Sequence, residues 1–275
     1  MFIPSLFFSI ILIYIIFKIT KTNINKNDEI INKKVFYIIL IILIPYFIID
    51  YNRNKQWDTA ESLIEHDIKH LQNSAMANEI YATNKLSSIN KLKTNSEKRE
   101  ALETSIKHYK ISLNIYPNYK FSLSSLANIY FIYYKDYNTA SEYYIKYIEV
   151  DSTEFNIIKN TGFCFDKMKE YDKSIYYYKK ALQLKPNDFK TISLIANKFY
   201  YLGNKEKGNF YNNKLFKLNP NSEIPYINTG NYFFLQNDTL SAIRYYQNAL
   251  KINPNNKKLS SILKAYYRLH NKNTH

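Results

Sequence analysis

Prolines recur at a fixed interval in the second half of this chain. Pro186, Pro220 and Pro254 are equally spaced, and Pro117 precedes Pro186 by two such intervals and one extra residue. Each proline follows similar text, namely HYKISLNIYPN, YYKKALQLKPN, YNNKLFKLNPN and YYQNALKINPN. Proline cannot continue a helix, so each stretch reads as the end of one. A period of about 34 residues predicts stacked helical units that bury their apolar sides only against their neighbours.

Small and aromatic residues recur within five units, which span residues 86–119, 120–154, 155–188, 189–222 and 223–256. The second unit has one extra residue and lacks the closing proline. Matching places hold Gly162, Phe165, Ser174, Tyr178, Ala181 and Pro186 in the third unit, and Gly230, Phe233, Ala242, Tyr246, Ala249 and Pro254 in the fifth. This pattern resembles the tetratricopeptide repeat family. The resemblance implies an all-α, right-handed superhelical solenoid of paired helices.

Two units depart from the family pattern. In the fourth, Gly208 and Asn212 replace the usual alanine and aromatic, and we expect its second helix to start late or pack loosely. In the first, the polar segment SSINKLKTNSEKRE reads as the first helix, with Lys93 and Ser96 at unsuitable places. A polar terminal unit caps such an array. Residues 51–85 then read as a helical linker, and residues 257–275 as a capping helix and tail.

Two apolar runs precede the repeats. Residues 2–17 are apolar apart from two serines and Pro4, and the run at 35–49 carries no charge. We predict a transmembrane hairpin, with helices at 1–20 and 35–50 and a basic loop at 21–34. Lysines in the loop favour a cytoplasmic loop, so the large domain is expected to be extracytoplasmic. A signal peptide is the competing interpretation, but the positive charge and the small-residue cleavage site that it needs are missing.

Composition argues against an enzyme. Only four glycines occur, and the sequence has no phosphate-binding loop or nucleophile elbow. His66 and His70 have a spacing that can hold a metal and lie beside Asp67, but no third ligand is evident, so a solvated helix face is the preferred interpretation. Cys164 is the single cysteine and is expected to be a small buried residue. We therefore predict no catalytic residue, no metal and no cofactor.

A candidate binding face follows from the resemblance. In the family, partners bind the concave surface of successive first helices, and matching positions here are Asn128, Phe131, Lys159, Phe163, Lys190, Asn197, Tyr200, Asn228, Asn231, Phe234 and Lys258. Some members clamp a C-terminal carboxylate. Asn197, Asn228 and Lys258 fall at three such places, but Ser193 and Ile262 replace the other lysine and the arginine. Asparagine and aromatic side chains suit an extended peptide.

The sequence thus predicts a membrane-anchored scaffold that binds a protein or peptide partner. Its formal net charge of +15 leaves a second interpretation, a basic membrane-proximal module that binds anionic lipid or nucleic acid. The lysines are scattered and form no Arg-rich run, which disfavours nucleic acid. A regulatory subunit of a membrane complex is a third interpretation.

Overall fold

The computed structural model describes residues 59–272 continuously and scattered positions between 14 and 51. They fall into two compact units that divide between Leu71 and Gln72. In the first unit, helix α1 (Ala60–Asp67) begins after Thr59, whose side chain accepts a hydrogen bond from the Ser62 backbone while the Ser62 side chain accepts one from the Thr59 backbone. This reciprocal cap satisfies backbone donors that the first turn of a helix leaves without partners.

The second unit is a series of helix pairs. Its helices are α2 (Ala75–Ser88), α3 (Asn95–Ile115), α4 (Lys120–Ile129), α5 (Tyr137–Val150), α6 (Phe155–Lys167), α7 (Tyr171–Leu184), α8 (Phe189–Tyr201), α9 (Lys205–Leu218), α10 (Ile224–Leu235), α11 (Thr239–Ile252) and α12 (Lys257–Lys272). Consecutive helices pair from α2 with α3 to α10 with α11, and the second helix of each pair packs on the first helix of the next. Residues 59–272 contain no strand. The predicted all-α helical repeat is confirmed.

Aromatic rings join the two helices of a pair at a regular interval. Phe165 stacks on Tyr177, with ring centroids 5.4 Å apart. A second tyrosine of the third and fifth pairs, Tyr178 or Tyr246, lies against a glycine of the facing helix. The sequence pattern thus sets which side of each helix is buried. Equivalent stacked rings occur in the other pairs as Tyr130–Tyr143, Phe199–Tyr211 and Phe233–Tyr245.

The first pair begins earlier than predicted. The segment SSINKLKTNSEKRE is not one helix, because α2 ends at Ser88 and α3 begins at Asn95. The first helix of the pair is α2, which starts at residue 75 rather than 86. Its Ala82 fills the small-residue place expected at Lys93, and the Ser105 hydroxyl donates to the Ala82 carbonyl at 3.0 Å. The prediction failed because the polar connection after α2 has the composition of an exposed helix.

The extra residue of the second unit lies at the end of α4. Residues Tyr130–Tyr134 form a π-helical turn, which takes up one inserted residue without unfolding the helix. This turn explains why the matching residues of α5 come one position late. The missing proline of this unit is replaced by a side-chain turn, in which the Asp151 carboxylate accepts from the Thr153 backbone at 3.0 Å and from the Lys120 ammonium at 3.2 Å.

The fourth pair is packed closely, against expectation. Helix α9 begins at Lys205, midway in the sequence between the starts of α7 and α11. Tyr200 of the first helix occupies the space that a tyrosine of the second helix fills in the third and fifth pairs. Gly208 makes this possible, since a Cβ atom there would overlap the Tyr200 ring. The prediction of a late or loose helix is therefore wrong.

In four of the helix pairs, the first helix ends at a residue with positive φ, and these four residues are equally spaced. They are Lys135, Lys169, Gly203 and Asn237. The residue after each donates its backbone N–H to a carbonyl of the preceding helix, as Glu170 does to Phe165 at 2.9 Å. This arrangement closes the helix ends and turns the chain into the second helix.

The predicted transmembrane segments lie largely outside the described residues. The positions described within 35–50 are helical and exposed, including Ile41 and Phe47. Among all residues that the structure describes, no helix has both the length and the apolarity needed to cross a bilayer.

Candidate functional site

A cleft lies between the first helices of the fourth and fifth pairs, α8 and α10. Its volume is about 380 Å³, and its walls include Leu194, Asn197 and Tyr201 of α8 and Asn231, Phe234 and Leu235 of α10. Tyr201, Phe234 and Leu235 are 51%, 57% and 44% exposed, respectively. The cleft therefore offers half-exposed apolar rims together with two amide side chains, a combination suited to an extended peptide.

Four predicted binding residues line this cleft, and one of them, Tyr200, is almost completely buried. The other three are Asn197 of the fourth repeat and Asn231 and Phe234 of the fifth. The Asn231 side-chain oxygen accepts a hydrogen bond from the Tyr246 hydroxyl at 2.8 Å, which fixes the amide and leaves its N–H₂ group as a donor. The second helix of the fifth pair thus orients a side chain of the cleft.

Two of the predicted binding residues, Tyr200 and Asn228, are almost completely buried. Tyr200 is 1% exposed although it lines the cleft, and its hydroxyl donates to Asn209 at 2.7 Å. Burial raises the pKa of Tyr200 above the usual range. Asn228 is 2% exposed. Both were assigned to the binding face by position in the repeat, but that position does not determine whether a neighbouring ring or amide covers the side chain.

A buried amide network occupies the place of the predicted carboxylate clamp. Asn228 donates to Asn212 at 3.0 Å and to the Ser193 hydroxyl at 3.3 Å, while Asn212 donates to the Pro225 carbonyl at 2.7 Å. These bonds join α8, α9 and α10. Asn228 is therefore engaged inside the protein and holds the walls of the cleft in place.

An ion pair braces the α8 wall of the cleft, which Lys198 also lines. The Lys198 ammonium contacts the Asp166 carboxylate of α6, and it also lies 5.2 Å from the ring centroid of Tyr171. Both charged side chains are largely buried. This pair links successive first helices and limits their relative movement.

Closer to the N-terminus, the side chains of the predicted binding face contact neighbouring residues of the protein. Asn128 accepts from the Tyr144 hydroxyl at 2.6 Å. The rings of Phe131 and Phe163 contact each other edge to face at 5.4 Å, and Lys159 lies over the Phe155 ring at 4.9 Å. The predicted residues thus lie along successive first helices, but an open cleft forms beside only some of them. The last two, Lys190 and Lys258, are exposed near the starts of α8 and α12.

The remaining candidate residues have other surroundings. His66 and His70 lie 5.2 Å apart between ring centroids, and no group of three or more metal-binding side chains occurs in the described part of the chain. Cys164 is fully buried, as expected, and burial raises the pKa of its thiol to about 12. A thiol with such a pKa is protonated at neutral pH.

Comparison with known proteins supports the assignment of the fold. Residues 156–188 match the family model of the tetratricopeptide repeat. YrrB, described as a TPR protein with an unusual peptide-binding site, is 16% identical and has a TM-score of 0.59 over 74% of this chain and 100% of its own. MamA is 19% identical, with a TM-score of 0.52 over 64% of this chain and 94% of its own.

A third solved structure, PilW, is described as a widely conserved type IV pilus biogenesis factor. It is 16% identical, with a TM-score of 0.51 over 78% of this chain and 94% of its own. At these identities the likeness extends to the fold alone. No curated protein gives a significant sequence match. The chain thus carries a tetratricopeptide repeat at residues 156–188, within an all-α repeat of tetratricopeptide fold.

Proposed function

We propose that this protein is a scaffold that holds a segment of a partner protein in the cleft between α8 and α10. The observation that carries the proposal is the convergence of Asn197, Asn231 and Phe234 on one open cleft. Half-exposed aromatic side chains at the centre of a binding surface contribute much of the binding energy in protein complexes. The peptide-binding site named for YrrB adds support at the level of the fold.

The cleft is suited to recognition because hydrogen bonds and an ion pair hold its walls together. Tyr246 fixes Asn231, the network around Asn228 joins the two walls, and the ion pair of Lys198 holds α8 against α6. A preformed site loses little conformational entropy when a ligand binds. The chain needs no catalytic group for this role.

A pair of matched variants tests the proposal. Phe234 in the cleft is 57% exposed, and Tyr176 on the outer side of α7 is 60% exposed, so replacing either with alanine should leave the fold intact. We expect Phe234→Ala to reduce co-purification of cross-linked partners at least fivefold, as measured by quantitative mass spectrometry, and Tyr176→Ala to leave it unchanged. Equal recovery with both variants would exclude the cleft as the binding site.

We further propose that the apolar runs at 2–17 and 35–49 anchor the scaffold in a membrane, with the repeats on the extracytoplasmic side. The support is the absence of charge in the second run and the lysine-rich loop between the runs. An anchor would raise the local concentration of the scaffold near membrane partners. Protease added to intact spheroplasts should digest the repeats; their survival until lysis would refute this orientation.

A further inference from the structure

Positive charge is concentrated in the half of the array that contains the cleft. Residues 155–272 have 20 lysines and arginines against 7 aspartates and glutamates, a net charge of +13. Residues 72–154 have 10 against 9, a net charge of +1. The composition of the whole chain conceals this asymmetry. Because the two halves have the same fold, helix packing does not explain it.

Most carboxylates of the basic half already have partners within the protein. Asp166 pairs with Lys198, and Glu170 lies 2.6 Å from the Lys173 ammonium. The first of these pairs is largely buried, whereas the second lies at the surface. The net charge of +13 already counts these acids, so it is the charge left for an external partner. Three more carboxylates of the basic half have internal partners. Asp188 and Asp238 accept from backbone N–H groups at the starts of α8 and α11, and Glu223 accepts from Asn256 at 3.1 Å.

Some of this charge borders the cleft. Lys190 is exposed and lies on the same side of α8 as Leu194, Asn197 and Tyr201, because these residues follow one another at helical spacing. Asp166 of the neighbouring first helix α6 is engaged by Lys198. A segment lying along the cleft would therefore pass a cation and three apolar or aromatic side chains.

We propose that the segment bound in the cleft is acidic, with carboxylate side chains on either side of an apolar anchor residue. The inference rests on the proposed function and specifies its partner. An anchor residue would contact Tyr201, Phe234 and Leu235, while Asn197 and Asn231 bond the backbone of the segment. The surplus charge attracts carboxylates over about one Debye length, roughly 8–10 Å, and so accelerates encounter.

The arrangement of the cations favours a polypeptide over a nucleic acid. Only Arg244 and Arg268 among the basic residues of this half are arginines, the residue that nucleic-acid sites favour. Several lysines of this half lie over aromatic rings, as Lys214 does over Phe210 at 4.8 Å. Such rings are covered on one face and do not form a platform for stacking bases.

Three labelled peptides test the inference with the full-length chain in nonionic detergent. All have the same length, amidated C-termini and one central Leu-Gly-Phe anchor; their flanks are Asp/Glu, Asn/Gln or Lys. We expect the acidic peptide to bind at least tenfold more tightly than the neutral one in fluorescence anisotropy at about 50 mM NaCl. This advantage should shrink severalfold at about 500 mM NaCl, since salt screens exposed charges.

Two charge-reversal variants test whether the preference for the acidic peptide arises at the cleft. Lys190→Glu should weaken binding of the acidic peptide about fivefold and leave the neutral peptide unchanged. Lys251→Glu makes the same change of charge at an exposed position on α11 and should have a much smaller effect. Equal weakening by both variants would mean that the charge of the whole domain acts without a site, which overturns the inference.

Other outcomes separate this inference from the proposed function. Equal affinity for the acidic and neutral peptides, together with a loss in Phe234→Ala, would refute the acidic partner and leave the peptide cleft standing. Failure of all three peptides would also refute the acidic partner, while the cross-linking comparison of Phe234→Ala with Tyr176→Ala still decides the cleft. Displacement of the bound acidic peptide by phosphatidylserine vesicles or an oligonucleotide, with tighter binding of either, would assign the basic half to that ligand and overturn the inference.

Discussion

At the residue scale, one contact between a glycine and a tyrosine ring determines how closely paired helices approach. In the third and fifth pairs the glycine is on the first helix and the tyrosine on the second, as with Gly230 and Tyr246. The fourth pair reverses the arrangement, with Tyr200 on the first helix and Gly208 on the second. The two solutions are equivalent in packing because each places a ring where the facing helix has no Cβ.

Replacing Gly208 by alanine tests this reversal. Alanine is the family's usual residue at that place and favours helix by about 1 kcal/mol, so the family pattern predicts a gain in stability. We expect instead a loss of about 1–2 kcal/mol in the free energy of unfolding by urea, because the new Cβ would overlap the Tyr200 ring. In a Tyr200→Leu background the same change should be neutral or stabilising; a loss of the same size there would disprove the contact.

Two tyrosines at equivalent places differ in their hydroxyl partners. The Tyr144 hydroxyl donates to Asn128 at 2.6 Å, whereas the buried Tyr178 hydroxyl makes no hydrogen bond, since Phe163 replaces the asparagine there. Tyr144→Phe should therefore lower the free energy of unfolding by about 1 kcal/mol, and Tyr178→Phe should leave it unchanged or raise it slightly. Thermal and urea unfolding of both variants measure the difference, and equal losses would contradict it.

The family pattern predicted the burial of some residues and missed the burial of others. The family pattern predicted the buried roles of Gly162, Tyr178 and Cys164, since their places in the repeat are internal. The same pattern predicted that Tyr200 and Asn228 are exposed on the binding face, but both are buried. Their burial depends on Gly208 and Asn212, which both differ from the family pattern. The sequence alone does not show that these two residues contact Tyr200 and Asn228.

At the element scale, each helix boundary is specified by a local signal. The recurring prolines predicted the ends of the second helices, and the inserted residue of the second unit appears as the π-helical turn Tyr130–Tyr134. The start of the first pair was predicted wrongly, because the polar connection after α2 has the composition of an exposed helix. The stacked rings that join paired helices were also missed, although their equal spacing is visible in the sequence at Tyr177, Tyr211 and Tyr245.

Substitutions at two of the positive-φ residues that end the first helices should change stability in opposite directions. Gly203 has φ +74° with no atom near its missing Cβ, so Gly203→Ala should cost about 1 kcal/mol from backbone strain alone. Lys169 has φ 63° and is exposed, so Lys169→Gly should increase the free energy of unfolding by up to about 1 kcal/mol. Urea titration of the two variants checks both signs, and a destabilised Lys169→Gly would contradict the role of this residue as a helix stop.

The turn between the second and third pairs should be sensitive to acid. Hydrogen bonds from Thr153 and from Lys120 lower the pKa of Asp151 to about 2, below its ordinary value in an unfolded chain. Its contribution to stability is therefore complete above about pH 4 and is lost as the pH falls toward about 2. Asp151→Asn cannot titrate, so its urea midpoint should fall less than that of the wild type over this interval; parallel curves would argue against the turn.

At the scale of the whole molecule, the array combines a regular fold with an uneven surface. Each pair buries its apolar residues against the next, so the fold followed from a repeat that could be read in the sequence. The cleft did not follow, because it depends on how far α8 and α10 separate and on which side chains cover the face between them. The charge of the basic half adds a second asymmetry, which the scattered distribution of lysines obscures in the linear sequence.

Site-specific photocrosslinking shows whether a partner segment lies in the cleft between α8 and α10. A photoreactive phenylalanine analogue is introduced at Phe234, or at Tyr176 as the exposed control, and the full-length chain is irradiated in cells. We expect a discrete crosslinked protein from position 234 that is absent from position 176. The same crosslinked bands from both positions, or bands from 176 alone, would contradict it.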